Sequence, residues 1–341
     1  MELQTLLFSL SRACGVTLGA AQAALEAVRP YAPAARLDRL GSVVAPVRAP
    51  REGEPHVMLE AHIDEIGFAV TAVDEDGFLR VDQIGGPDVR VLLGAEVAVH
   101  AKRELFGVFC CRPPHLSSAE DTKKVPELKE MAVDIGFGHD EACARVTPGD
   151  VITLRAEPAE MENGFVTGKA LDNRAGVAVV LRCLELCAKD ISCGLTAVFS
   201  TGEELGMRGA VPAAYGVAPT HAVVTDVSFG MTPDAPREHC GDMGEGPMIG
   251  VSPTLSRSVT ELLFRLAEEK NIPHQREVMA GGTGTNADAI SVSRAGVAAG
   301  LLSVPLRYMH TAAECIKLCD VENTARLMAE AVRAIGGGCD A

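Results

Sequence analysis

Two imidazoles and five carboxylates in this sequence have the types and spacing of metal ligands: His62 and His310, with Asp64, Asp172, Glu203, Glu204 and Asp226. His62-Ile63-Asp64 closes an apolar extended run and places both polar side chains on one face of it. Glu203 and Glu204 follow the run at 195–200, Asp226 follows the run at 222–225, and His310 comes after the run at 298–304. Asp172 immediately precedes a helical pattern that begins near Asn173. Carboxylate and imidazole donors form a hard-to-borderline set that suits zinc, cobalt or manganese, and no thiolate belongs to it. Singly, each residue also fits a plainer role. His62 and Asp64 could be a solvated strand end, Asp172 an N-cap, Glu203-Glu204 a solvated loop, Asp226 a turn cap and His310 a hydrogen-bonded core imidazole. Together those readings weaken, because several separate element ends would all have to be acidic or His by chance.

The elements around these residues must bring them to one place. Residues 56–62, 195–200, 222–225 and 298–304 read as strands. Helical periodicity marks residues 2–32 (broken near Gly15 and ended by Pro30), 173–188, 256–270 and 321–335. Strands alternating with helices predict an α/β fold, with a mixed, largely parallel sheet flanked by helices. In open sheets of that kind ligands gather outside the carboxyl ends of the strands, where these side chains fall. Between about Thr71 and Glu160 the texture changes to short alternating runs separated by turn clusters. The clearest clusters are Asp74-Glu75-Asp76-Gly77, Gly85-Gly86-Pro87-Asp88 and Thr147-Pro148-Gly149-Asp150. The expected organisation is a catalytic α/β domain from residues 1–70 and 164–341, interrupted by a small β-barrel-like domain at 71–163.

Composition narrows the partners. The 31 Lys+Arg against 46 Asp+Glu leave a formal net charge of −15, and the longest basic run is Lys123-Lys124. Such a chain repels nucleic acid and anionic membrane, so neither is an expected partner. Aromatic residues make up 4% with no Trp, which leaves few stacking platforms. No segment reaches the ~18 uncharged apolar residues that a membrane span needs. The start, Met1-Glu2-Leu3-Gln4, lacks the basic region of a signal peptide. Eleven cysteines run from Cys14 to Cys339 without a Cys-x-x-Cys pair, which fits reduced, mostly buried thiols in a cytoplasmic protein.

Five linked segments resemble the M42 family of dinuclear metallo-aminopeptidases, the relatives of the tetrahedral and glutamyl aminopeptidases. They are His62-x-Asp64, the run from Gly168 to Gly176, Ser200-Thr201-Gly202-Glu203-Glu204-Leu205-Gly206, Val223-Val224-Thr225-Asp226 and Pro305-Leu306-Arg307-Tyr308-Met309-His310-Thr311. Within the insertion, Arg112-Pro113-Pro114-His115-Leu116-Ser117 and Val133-Asp134-Ile135-Gly136 resemble that family's usual segments. The resemblance implies a zinc-exopeptidase-like fold and two divalent metal ions per subunit, zinc or cobalt, with manganese a further choice. It implies that Asp172 bridges the ions, with His62 and Asp226 on one and Glu204 and His310 on the other. Asp64 would orient His62, Glu203 would be the general base, and the bond between Asp172 and Asn173 would be cis. A water held between two dications loses a proton near neutral pH, so this set of residues fits amide hydrolysis.

The family further implies short peptide substrates and self-association, commonly into a hollow homododecamer, with the β insertion as dimer contact or lid. Two alternatives stand beside it: an endoglucanase-type glycosidase and a non-catalytic peptide-binding assembly on the same scaffold. Paired carboxylates alone would serve a glycosidase, but they leave His62 and His310 unexplained, and the lack of Trp argues against a sugar cleft. The chain departs from the family at Gly284-Thr285-Asn286-Ala287-Asp288-Ala289, where Gly-Thr-Asp-Ala-Gly-Ala is common. That loop is expected near the substrate. The segment from Gly15 to Gly19 also matches only loosely.

Overall fold

The computed structural model describes residues 2–118, 120 and 123–338; Met1 and Cys339 lie outside the described residues. Its centre is an eight-stranded mixed sheet. Across the sheet the strands run Arg36–Leu37, Val43–Arg48, Gly194–Ser200, His56–His62, His221–Phe229, Ala298–Leu306, Met248–Val251 and Gln275–Val278. The middle four are mutually parallel, and antiparallel neighbours flank them on both sides. This is the α/β architecture expected from the alternation of strands and helices.

Strand His56–His62 shows how the two faces are filled. Val57, Leu59 and Ala61 pack into the larger core, together with helices Leu3–Arg12, Gly19–Val28, Leu171–Cys187, Arg257–Glu269 and Leu318–Gly336. Met58 points the other way, into a smaller core with helices Ala210–Val217 and Asn286–Ser291. Period-two alternation puts Glu60 and His62 on the Met58 side. Helix Leu171–Cys187 buries Val177, Val180, Leu181 and Leu184, each contributing roughly 1.5–3 kcal/mol relative to exposure. Helix Arg257–Glu269 begins where expected because the Ser256 side chain accepts from the Val259 N–H.

Six strands form a closed barrel: Gly67–Val73, Leu79–Ile84, Ala132–Asp134, Glu104–Cys110, Glu96–His100 and Val151–Leu154, which returns to the first. Its core holds Phe68 and Phe109 edge to face at 4.8 Å between centroids. A short helix, His139–Arg145, accompanies it. Strand Ala159–Glu160 belongs instead to a three-stranded antiparallel sheet with Phe165–Gly168 and Glu314–Lys317. That sheet joins the approaches to Asp172 and His310.

All ten described cysteines are free. Cys183, Cys187, Cys193 and Cys315 are buried, whereas Cys143 and Cys319 are exposed, so burial of the thiols is less general than their number suggested. Cys183 and Cys187 share a helix, but Cys315 lies on a strand and Cys319 on the following helix. Among the described residues no helix is long and apolar enough to cross a membrane.

Candidate metal centre

Parallel pairing in register delivers the side chains. His62 is paired with Ser200 at the ends of adjacent strands, and Asp226 lies one strand further across. Past Ser200 the chain turns at Gly202 (φ +69°) and presents Glu203 and Glu204. His310 sits in a left-handed conformation (φ +62°) after strand Ala298–Leu306. Asp172 stands at the start of its helix, where the bond to Asn173 is cis.

These side chains converge on Asp172. Its Oδ1 lies 3.0 Å from His62 Nε2 and its Oδ2 lies 3.4 Å from His310 Nε2. Asp226 Oδ1 is 3.6 Å from His62 Nε2, and Glu204 Oε1 is 3.3 Å from His310 Nε2. Three sets, each with ligand atoms within 4.8 Å of one another, can be drawn: His62, Asp172 and Asp226; Asp172, Glu204 and His310; His62, Glu203 and Glu204.

The electrostatics are those of anions in excess. Burial resists protonation of His62, yet Asp172, Asp226 and Asp64 outweigh it and hold the imidazole well above its ordinary pKa. Burial likewise opposes His310, but Asp172 and Glu204 push it up to about 11. Burial raises Asp172, but His310 and His62 more than reverse it and bring the carboxyl below its usual range. Burial pushes Asp226 up. Burial, with Asp226, Glu204 and Asp172 nearby, takes Glu203 to about 8. Such a cluster calls for positive charge, and its N/O donors match a divalent cation. The residues fit the metal ions that the resemblance implies.

A supporting layer lay beyond the reach of the sequence reading. Glu314, 1% exposed, accepts the Asp172 N–H at 3.0 Å and the His310 N–H at 2.9 Å with its two oxygens. Asn173 Nδ2 donates to the Thr225 carbonyl at 2.9 Å, tying Asp172 to the strand of Asp226. Arg174, fully buried, donates to the carbonyls of Leu10, Ala13, Ile63 and Asp64 and so anchors the turn after His62. Lys169 binds both oxygens of Glu65, which also accepts the Gly15 N–H at 2.6 Å. Lys169, Asn173 and Arg174 surround Asp172 in the sequence, so the signal was there; their partners were not.

Neither departure in the 284–289 loop puts a free charge in the cleft. Asn286 is buried and donates to Glu60 Oε1 at 2.8 Å and Ser200 Oγ at 2.9 Å. Asp288 Oδ2 accepts the N–H groups of Thr283 and Gly284, and its Oδ1 accepts from Thr254 Oγ1, so it ties down its own loop.

A family described as M42 glutamyl aminopeptidase matches residues 41–327. A lysyl aminopeptidase of Pyrococcus furiosus is 30% identical over 317 residues, which cover 91% of this chain and 90% of that protein. The structure of a TET aminopeptidase from a marine-sediment Thaumarchaeota archaeon superposes with a TM-score of 0.92 at 28% identity, covering 100% of both chains. The TET1 peptidase of Pyrococcus horikoshii, described as assembling into a tetrahedron or a large octahedral shell, gives 0.84 at 26% identity over 97% of this chain and 99% of that one.

Proposed function

The chain belongs to the M42 peptidase family, and on that premise we propose that this aminopeptidase removes N-terminal residues from short peptides at a two-ion centre. His62, Asp172 and Asp226 would hold one ion and Asp172, Glu204 and His310 the other. The observation that carries this reading is the Asp172 carboxylate, whose two oxygens face two different imidazoles at 3.0 and 3.4 Å. When bound, the ions supply Lewis acidity, polarising the scissile carbonyl and acidifying water.

The chain's own groups do the rest. Glu203 takes a proton from the attacking water and returns it to the leaving nitrogen. It adjoins Glu204 and lies near the carboxylates of Asp226 and Asp172, within reach of the place where that water would be activated. Asp64 fixes the Glu203-Glu204 turn by accepting both backbone N–H groups at 3.1 Å, so that the base and the ligand diverge from one anchor. Asp64 Oδ1 also lies 3.4 Å from His62 Nδ1, where it orients the ring.

The glycosidase alternative gains nothing from this geometry, because Asp172, Glu204 and Asp226 each face an imidazole rather than an open carboxylate pair. Self-association into a shell, with a homododecamer as the expected form, is supported by the assembly ascribed to the P. horikoshii relative. Free cysteines throughout the described residues support a reducing, cytoplasmic setting.

The test is hydrolysis of a panel of aminoacyl anilides by the zinc- or cobalt-loaded protein, with and without chelator. Release that chelator abolishes supports the reading and names the preferred N-terminal residue. No release from any substrate by protein shown to hold metal would overturn it.

A further inference from the structure

Among the described residues, only one half of the centre leans on the barrel. Its turn after strand Leu79–Ile84 places Gly86 O 2.8 Å from His310 Nδ1, and the Asp88 N–H donates to the His310 carbonyl at 3.1 Å. A carbonyl oxygen only accepts, so Nδ1 carries the proton in that bond and Nε2 is left facing Asp172 and Glu204. Gly85 lies against the second ligand of the same set. A Cβ there would sit 2.9 Å from Glu204 Oε2 and 3.2 Å from Glu204 Cβ, and its φ of +70° already disfavours a side chain. A Cβ on Gly86 would come 3.3 Å from His310 Nδ1. Among the described residues His62 and Asp226 have no such contact. Their partners are Asp64, Asp172, each other and the Val227 N–H, all outside the barrel.

We propose that the Gly85-Gly86 turn is a positioning element for the Glu204–His310 half of the centre, so that the barrel builds one ion site and leaves the other to the main sheet. The turn seats the His310 ring through the Gly86 carbonyl and, by carrying no side chain, lets Glu204 reach the same place. This inference rests on the two-ion reading above and divides it into a barrel-dependent and a barrel-independent site.

The experiment is calorimetric and spectroscopic titration of the stripped full-length protein with cobalt(II), comparing wild type with Gly86→Ala, His310→Ala and Gly138→Ala. Gly86 has no positive φ to lose, and Gly138, which caps the helix His139–Arg145 beside the barrel, is a position where an added Cβ meets nothing within 4 Å. Wild type and Gly138→Ala should take two ions. Gly86→Ala should keep one at wild-type affinity and bind the other ~10–100-fold more weakly. The weakened ion should be the one that His310→Ala abolishes, and it should lose its absorption bands alone.

Gly86→Ala taking both ions as wild type does, or weakening both equally, would overturn the inference while leaving the two-ion reading intact. Wild type binding no cobalt would overturn both. Should Gly86→Ala not fold, the nitrogen-15 imidazole spectrum of the zinc-loaded wild type decides instead. A through-hydrogen-bond coupling from the His310 Nδ1 proton to the Gly86 carbonyl carbon supports the positioning role, and an Nδ1 proton that shows none and exchanges freely with solvent overturns it.

Discussion

Asp64 and Glu204 are joined through the backbone: Asp64 Oδ2 accepts the Glu204 N–H at 3.1 Å, while Oδ1 does the same for Glu203. One carboxylate thereby sets the directions of two neighbouring side chains for which different tasks are proposed. Asp64→Asn would turn one accepting oxygen into an NH2 group aimed at an N–H. The expected result is a ~10–100-fold loss of metal affinity together with lower turnover, read by metal titration and kcat. Wild-type values for both would remove Asp64 from its role.

Glu203→Gln keeps the shape of the turn and deletes the proton acceptor. It should retain both ions and lose at least ~10²-fold in kcat, with KM little changed. Asp172→Ala, by contrast, should lose metal as well as activity, since it takes one oxygen from each imidazole. Metal content by mass spectrometry separates the two variants, and full activity in Glu203→Gln would sink the base assignment.

Glu314 is a structural counterpart to the proposed ligands. Glu314→Gln can offer one oxygen where two N–H groups now have acceptors, which leaves either Asp172 or His310 facing another donor. A loss of about 1–3 kcal/mol follows from one unsatisfied buried group. Urea unfolding of the metal-free protein would measure it, and an unchanged midpoint would contradict the bridging geometry.

Acid and base should act on the stripped protein in a definite direction. Burial raises Glu60 to about 8, and Glu203 is also near 8, both above an unfolded value of 4.5; His310 stands near 11 against 6.5. The native state therefore binds more protons than the unfolded one across this range, and its stability falls as pH rises. The two glutamates contribute fully below pH 4.5 and lose their contribution by about 8; His310 contributes below 6.5 and fades toward 11. The thermal midpoint of chelated protein should drop between about pH 5 and about pH 8.5. Zinc-loaded protein should drop less, because metal ligands must be deprotonated to bind. A flat or rising midpoint in the chelated protein would refute the sign.

The sheet and the positions of His62, Glu204, Asp226 and His310 were legible because parallel strands advertise their ends. His62 ends its strand and Glu204 follows the end of another, whereas Asp226 lies inside strand His221–Phe229 and His310 four residues past strand Ala298–Leu306; topology collects all four at one edge. Short elements were not legible. Strands Met248–Val251 and Gln275–Val278 have four residues each, and helix Asn286–Ser291 has six, too few for periodicity to register. Glu314 and Glu60 gave no signal because a buried carboxylate is identified by its partners, which lie far off in the sequence. Gly85-Gly86 was readable as a turn, but what the turn rests on was not. The exchange at 286 and 288 looked like a charge moved within one loop, whereas one position serves the buried face of the sheet and the other caps the loop itself.

The bond between Gly86 and His310 spans 224 residues of chain, and Asp172 meets Glu314 only 142 residues later. At the ~5–20 residues per second of protein synthesis, roughly 11 to 45 seconds separate the emergence of the first pair's members. By the end of that interval the nascent chain displays His62, Asp172 and Glu204 but still lacks His310 and the carboxylate that seats it. The centre is therefore among the last parts to be completed on the ribosome. A chain that stops short of residue 310 would be released as an unfinished, inactive fragment rather than as an unguarded peptidase.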